Sequence, residues 1–150
     1  LKSRGYEHYE ISNFALNEAY SRHNIKYWTF QPYTGFGPGA HSFFENRRYN
    51  NSPNLNLYLN NPELVLMEDN RTAPDAAVEF IMTSLRLIKG LRPGRFREVT
   101  GNDLPEEIME NLLKLTGEGL IISDGDLFRV NPGSLGIFDT IVYRITEPLL

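Results

Sequence analysis

A chain of 150 residues with 41% hydrophobic and 23% charged residues carries enough apolar content for one folded domain, or a small domain plus a further piece. With no cysteine, it excludes disulfides, thiolate metal sites and cysteine nucleophiles of its own. No apolar run approaches the roughly 18 residues of a membrane span, so neither a span nor a signal peptide is expected, and the composition suits the cytoplasm.

The net charge of −4 is unevenly placed. The first fifty residues carry six Lys/Arg against four Asp/Glu, all three histidines and twelve of the eighteen aromatics. The remaining hundred carry nine Lys/Arg against fifteen Asp/Glu. An aromatic, His-rich first third and an acidic, aliphatic remainder predict two units with different jobs.

Residues 6–14 alternate loosely and predict a strand, with Tyr9, Ile11 and Phe14 as packing positions. Residues 15–34 lack a clean period and predict mostly loop around a short helix. Gly35 to Ser42 predicts a short strand or turn in which the backbone approaches something closely. Residues 49–62, with Asn-Asn-Ser-Pro-Asn and Asn-Asn-Pro, predict a surface connection with a helical turn near Leu55–Leu59.

After residue 72 the pattern becomes regular. Val78, Ile81, Met82, Leu85 and Ile88 form a helical stripe, capped by Thr72 or Asp75 and ended by Gly90. Arg92–Thr100 predicts a second helix, closed by Gly101. Asp103 and Glu106 predict a capping box for a third helix packing through Ile108, Leu112 and Leu115. Leu120–Ile122 and Leu127–Val130 flank Ser123-Asp124-Gly125-Asp126, a hairpin signal. Ile137, Phe138, Ile141, Val142 and Ile145 predict a last amphipathic helix, ended by Pro148. Three helices, a hairpin and a helix is a winged-helix-like order.

The densest chemistry is His23-Asn24-Ile25-Lys26-Tyr27-Trp28, which holds the only tryptophan. A ring nitrogen beside two large aromatics suits a flat metallated ligand. On spacing alone such a histidine is more often a packed or hydrogen-bonded side chain. The segment Gly35-Phe36-Gly37-Pro38-Gly39-Ala40-His41-Ser42 lacks the dinucleotide-binding spacing, and a tight bend is its simpler reading. His8 and His41 with Glu7, Glu10 or Glu45 show no metal-ligand spacing. Ser42 beside His41 is a poor nucleophile–base pair, because sequence neighbours seldom reach that geometry. Arg92, Arg95 and Arg97 make one basic patch, read as a solvated or salt-bridged face. Glu106, Glu107, Glu110, Asp124 and Asp126 would repel phosphate, so no nucleic-acid partner is expected.

Three segments in this order, Tyr9-Glu10-Ile11-Ser12-Asn13-Phe14-Ala15, the complete His-Asn-x-x-Tyr-Trp at residues 23–28, and Gly35 to Ser42, resemble the haem-chaperone branch of the radical S-adenosylmethionine proteins. These are related to oxygen-independent coproporphyrinogen III oxidase. The resemblance continues past residue 72 and covers nearly the whole chain. It implies haem contacts at His23, Asn24, Tyr27 and Trp28, with His23 as the iron ligand. It also implies S-adenosylmethionine contacts at Ser12 and Ala40.

The family holds a four-iron four-sulfur cluster on three cysteines, and this sequence has none. The chain is therefore expected to be the C-terminal part of a longer protein that carries haem, S-adenosylmethionine and the cluster. The chain itself is expected to retain none of them and to lack catalytic activity. The fold class implied is α+β: residues 1–50 as the remnant of a radical S-adenosylmethionine α/β barrel, 51–71 as a linker, and 72–150 as a mainly α, winged-helix-like C-terminal domain that folds alone. The expected role is haem binding and delivery to an acceptor protein, with the chain's own barrel as the other partner. The alternatives are the coproporphyrinogen III oxidase reaction, and an interaction module with no ligand.

Overall fold

The computed structural model of the chain describes residues 1–45, 47–68 and 72–150. They form two compact units, residues 1–29 with 72–150, and residues 30–71. The first 29 residues pack with the helical region that begins at residue 72. The last three residues of the expected linker lie outside the described residues.

The first unit opens with a hairpin, β1 (Glu7–Glu10) against β2 (Asn13–Ala15), where one longer strand was expected. The chain reverses at Ile11 and Ser12. Tyr9 and Ala15 are buried, whereas Phe14 is 37% exposed and stacks on His8 at 4.2 Å. The reversal is what turns Phe14 away from the expected packing face. Helix α1 (Arg22–Trp28) carries the His-Asn-x-x-Tyr-Trp motif. Ser21 starts it by accepting the Asn24 N–H.

Helix α3 (Ala73–Arg86) begins with a capping box between Thr72 and Asp75. Its buried face is Ala77, Phe80, Ile81, Ser84 and Leu85. The expected stripe is rotated: Ile81 and Leu85 are buried, but Met82 is 43% exposed and Ile88 lies beyond the helix end. Phe80 sets the rotation by packing edge-on against Phe96, ring centroids 5.2 Å apart. Phe96 belongs to α4 (Pro93–Thr100), which Gly101 closes with φ +76°.

Helix α5 (Glu106–Gly117) buries Ile108, Leu112 and Leu115 as expected. Its predicted capping box is absent: Pro105 occupies the N-cap, and Asp103 instead pairs with Arg97 at 2.6 Å. The hairpin β6 (Ile121–Asp124) and β7 (Leu127–Val130) follows, with Gly125 at φ +61° in its turn. Helix α6 (Phe138–Thr146) buries Phe138, Ile141, Val142 and Ile145. Ile137 precedes it and is 48% exposed.

Arg144 of α6 makes a two-pronged bond to the Glu118 carboxylate, 2.7 and 2.8 Å. That bond holds the Glu118 pKa below its ordinary value. A carboxyl depressed on folding contributes stability above its unfolded pKa and loses it as pH falls through the folded value. Glu118→Gln should therefore flatten the acid limb of the melting temperature against pH. An acid limb as steep as that of the unaltered chain would show that the pair contributes nothing.

The second unit is an antiparallel sheet of β3 (His41–Phe44), β4 (Arg47–Asn51) and β5 (Val65–Glu68), in the order β3-β4-β5. A short helix, α2 (Leu55–Asn60), lies between β4 and β5, where the helical turn was expected. The strand β5 was not expected: it follows the predicted surface connection of residues 49–62 and pairs with Tyr49, Asn50 and Asn51 of β4. Among the described residues no helix is long and apolar enough to cross a membrane.

Candidate functional site

The motif helix α1 is fixed at its start by tyrosines. Tyr9 of β1 accepts the Ser21 N–H through its hydroxyl at 3.3 Å, and its ring packs on Tyr20 at 4.7 Å. The Tyr20 hydroxyl donates to the Glu7 carboxylate, and that bond is the main cause of a phenol pKa pushed up to about 12.

On the helix the motif spacing acquires a geometry. His23 and Tyr27 are one turn apart and share a face. Their rings meet edge-on at 4.9 Å, and the Tyr27 hydroxyl lies 2.8 Å from His23 Nε2. His23 is exposed, and Tyr27 and Trp28 are half-buried. Asn24 contributes its backbone N–H to the Ser21 cap.

Trp28 leaves that face and meets the end of α3. The Arg86 guanidinium lies over its indole ring, 4.6 Å from the centroid. The Trp28 Nε1–H is buried without an acceptor among the described residues. An unmet buried donor costs about 1–3 kcal/mol, so the indole is held by packing and by the Arg86 contact on its ring rather than by its N–H.

Arg86 is held in turn by the hairpin. Its Nε lies 3.0 Å from Glu10 Oε2, and its Nη2 donates to Ser12 Oγ at 2.8 Å. Glu10 is fully buried, and its other oxygen accepts from Asn13. The backbone joins the same elements: Ile11 N–H donates to Arg86 O, and Ile88 N–H to Tyr9 O, both at 3.1 Å. Ser12 and Trp28, sixteen positions apart, thus meet on one guanidinium.

Ala40 lies in the second unit. Its carbonyl accepts the Asn51 N–H at 2.9 Å, and its N–H donates to Gly37 O at 3.3 Å. The close approach expected of the Gly35–Ser42 segment is made to the chain itself. Ser42 Oγ accepts the Gly35 N–H at 3.0 Å, and a Cβ on Gly35 would run into the His41 carbonyl. Ser42 is buried and His41 exposed, as neighbours on a strand face opposite ways, so they form no dyad.

His8 lies 3.0 Å from the Ile11 carbonyl through Nε2. Glu7 is engaged by Tyr20 and Glu10 by Arg86, and the described residues hold no group of three side chains able to bind a metal. The basic patch is salt-bridged: Arg92 to Asp126, Arg95 to Glu98, Arg97 to Asp103.

Sequence reading alone did not find Arg86, which is 74 positions from Ser12. The signal was Glu10, a carboxylate between the packing positions Tyr9 and Ile11, which demands a cation when buried.

Residues 72–133 match the family model of the HemN C-terminal domain. The chain is 29% identical to "Heme chaperone HemW" of Bacillus subtilis, over 90% of this chain and 37% of that protein. It is 27% identical to "Heme chaperone HemW" of Haemophilus influenzae, over 98% of this chain and 39% of that protein. A shorter match, 52% over 44 residues, is to "Radical S-adenosyl methionine domain-containing protein 1, mitochondrial" of Danio rerio, covering 29% of this chain and 10% of that protein. The chain therefore spans well under half of these relatives.

In fold it is similar to the coproporphyrinogen III oxidase (HemN) of Escherichia coli, a radical SAM enzyme. The TM-score is 0.69 at 14% identity, over 99% of this chain and 38% of that one. By these matches the chain is similar in sequence to HemW proteins and in fold to HemN, and its residues 72–133 match the HemN C-terminal domain.

Proposed function

We propose that the chain is part of a HemW-like radical S-adenosylmethionine protein that binds haem and delivers it to an acceptor protein in the cytoplasm. The observation that carries this reading is the motif helix: an exposed imidazole at His23, with two large aromatics on the same short, capped helix. Haem is cargo here. Its iron takes an imidazole nitrogen, and its porphyrin takes aromatic faces. The donor set fits. His23 supplies the ligand, the Tyr27 phenol orients the ring through Nε2, and Trp28 supplies an apolar face. Asn24 serves the helix start rather than the iron.

The radical cofactors do not fit this stretch by itself, because it supplies no thiolate for a cluster. We read residues 1–50 as the last part of the barrel in the intact protein, where the resemblance to the family assigns S-adenosylmethionine contacts to Ser12 in the first unit and to Ala40 in the second, each taken by itself. Residues 72–150 then form a winged-helix-like domain. Its acidic α5 and the Asp124–Asp126 turn argue for docking on protein rather than nucleic acid. The likeness to HemN, at 14% identity, supports the fold and not the oxidase reaction.

A haem titration with optical spectra, on this chain and on the longer protein, tests the reading. His23→Ala should weaken binding and shift the Soret band. Trp28→Ala should weaken binding with little spectral change, because it packs rather than ligates. An unchanged affinity and spectrum in a folded His23→Ala protein would remove His23 as the ligand.

A further inference from the structure

We propose that Arg86 is a positioning residue for Trp28, locked in place by the buried Glu10, and that it leaves the opposite indole face as the one a planar ligand can meet. The geometry of Trp28 and Arg86 stands independently, and its bearing on haem rests on the function proposed above.

Three restraints act on the guanidinium at once. Nε lies 3.0 Å from Glu10 Oε2, Nη2 donates to Ser12 Oγ at 2.8 Å, and Cζ sits over the indole, 4.6 Å from the ring centroid. The Ser12 hydrogen bond and the ion pair with buried Glu10 restrain the guanidinium, and its contact with the ring passes that restraint to Trp28. Only a planar, forked cation makes all three, because an ammonium is a point charge that can meet the carboxylate but presents no face to a ring.

The anchor is firm. Glu10 has a side-chain exposure of 0%, so releasing Arg86 would strand a buried carboxylate. A ligand arriving at the motif therefore does not displace Arg86, and that face of the indole stays covered. Trp28 has no hydrogen bond of its own through Nε1 among the described residues, so its orientation depends on this stack and on packing. Arg86 has 28% of its side chain exposed and is not wholly engulfed. Its place at the last residue of α3 lets one side chain reach β1, the hairpin turn and α1.

Trp28 is the only tryptophan in the chain, so intrinsic fluorescence reports on this one ring. Emission and acrylamide quenching should be compared in the unaltered chain, Arg86→Lys and Arg86→Gln, beside a thermal melt of each. Arg86→Lys keeps the charge opposite Glu10 and guards against a trivial loss of folding. The expected result is a red-shifted emission and stronger acrylamide quenching in both folded variants, with Arg86→Lys recovering melting temperature but not the emission.

In a haem titration of the longer protein, Arg86→Lys should weaken binding severalfold while the Soret position, set by the iron ligand, stays unchanged. Emission and quenching identical to the unaltered chain in a folded Arg86→Lys would overturn the positioning role. Changed emission with no haem binding by any form would refute the haem reading and leave the positioning role standing. Changed emission with haem affinity intact in Arg86→Lys would overturn the link between that role and the ligand.

Discussion

Leu112→Ala and Ile141→Ala should each destabilise the chain by about 2–4 kcal/mol, the usual cost of a buried large-to-small change. Both side chains are fully buried, at 0% exposure, on the helices α5 and α6. Each truncation removes apolar contacts and leaves a cavity, because close-packed neighbours collapse only partly. The check is a denaturant unfolding curve whose midpoint falls with its slope unchanged. Met82→Ala supplies the contrast: at 43% exposure on α3 it should cost within about 0.5 kcal/mol, as surface changes do. A comparably small effect at Leu112 or Ile141 would mean that the helix does not pack as described.

Gly90→Ala should cost about 3 kcal/mol, combining a strained backbone with a steric collision. Gly90 lies at φ +80°, where side chains rarely go. A Cβ there would also meet the Phe128 carbonyl and approach Arg129 Cβ to 2.8 Å. That carbonyl accepts the Leu91 N–H at 2.6 Å, and Leu91 O accepts from Phe128 at 2.8 Å. The substitution thus forces apart the bridge that ties the segment after α3 to β7. Gly101→Ala isolates the strain: its φ is +76°, but nothing lies within 4 Å of its Cβ position. Gly101→Ala should cost only about 1 kcal/mol, for the left-handed backbone alone. Equal losses at the two glycines, measured by the same unfolding curves, would show that the clash relaxes freely.

The sequence by itself determined the regular half of this protein. Helices α3 to α6 and the β6–β7 hairpin follow from apolar periodicity, helix signals and a turn, which act between residues a few positions apart. Ile108, Leu112 and Leu115 are buried where that periodicity put them. The motif His23 to Trp28 was equally legible, because its residue types sit within six positions, and a helix then brings His23 and Tyr27 together.

Tertiary structure alone decided the rest. The rotation of α3 depends on Phe80 meeting Phe96 of another helix, so Met82 faces outward although its spacing fits the stripe. The Asp103 capping box does not form because Pro105 occupies the N-cap of α5, and Asp103 pairs with Arg97 at the surface instead. Strand β5 forms through pairing with β4, a partner no local pattern names. Above all, the clamp on Trp28 joins Glu10, Ser12 and Arg86. Their pairing is set by the burial of one carboxylate, and burial is a property of the folded chain and not of any segment within it.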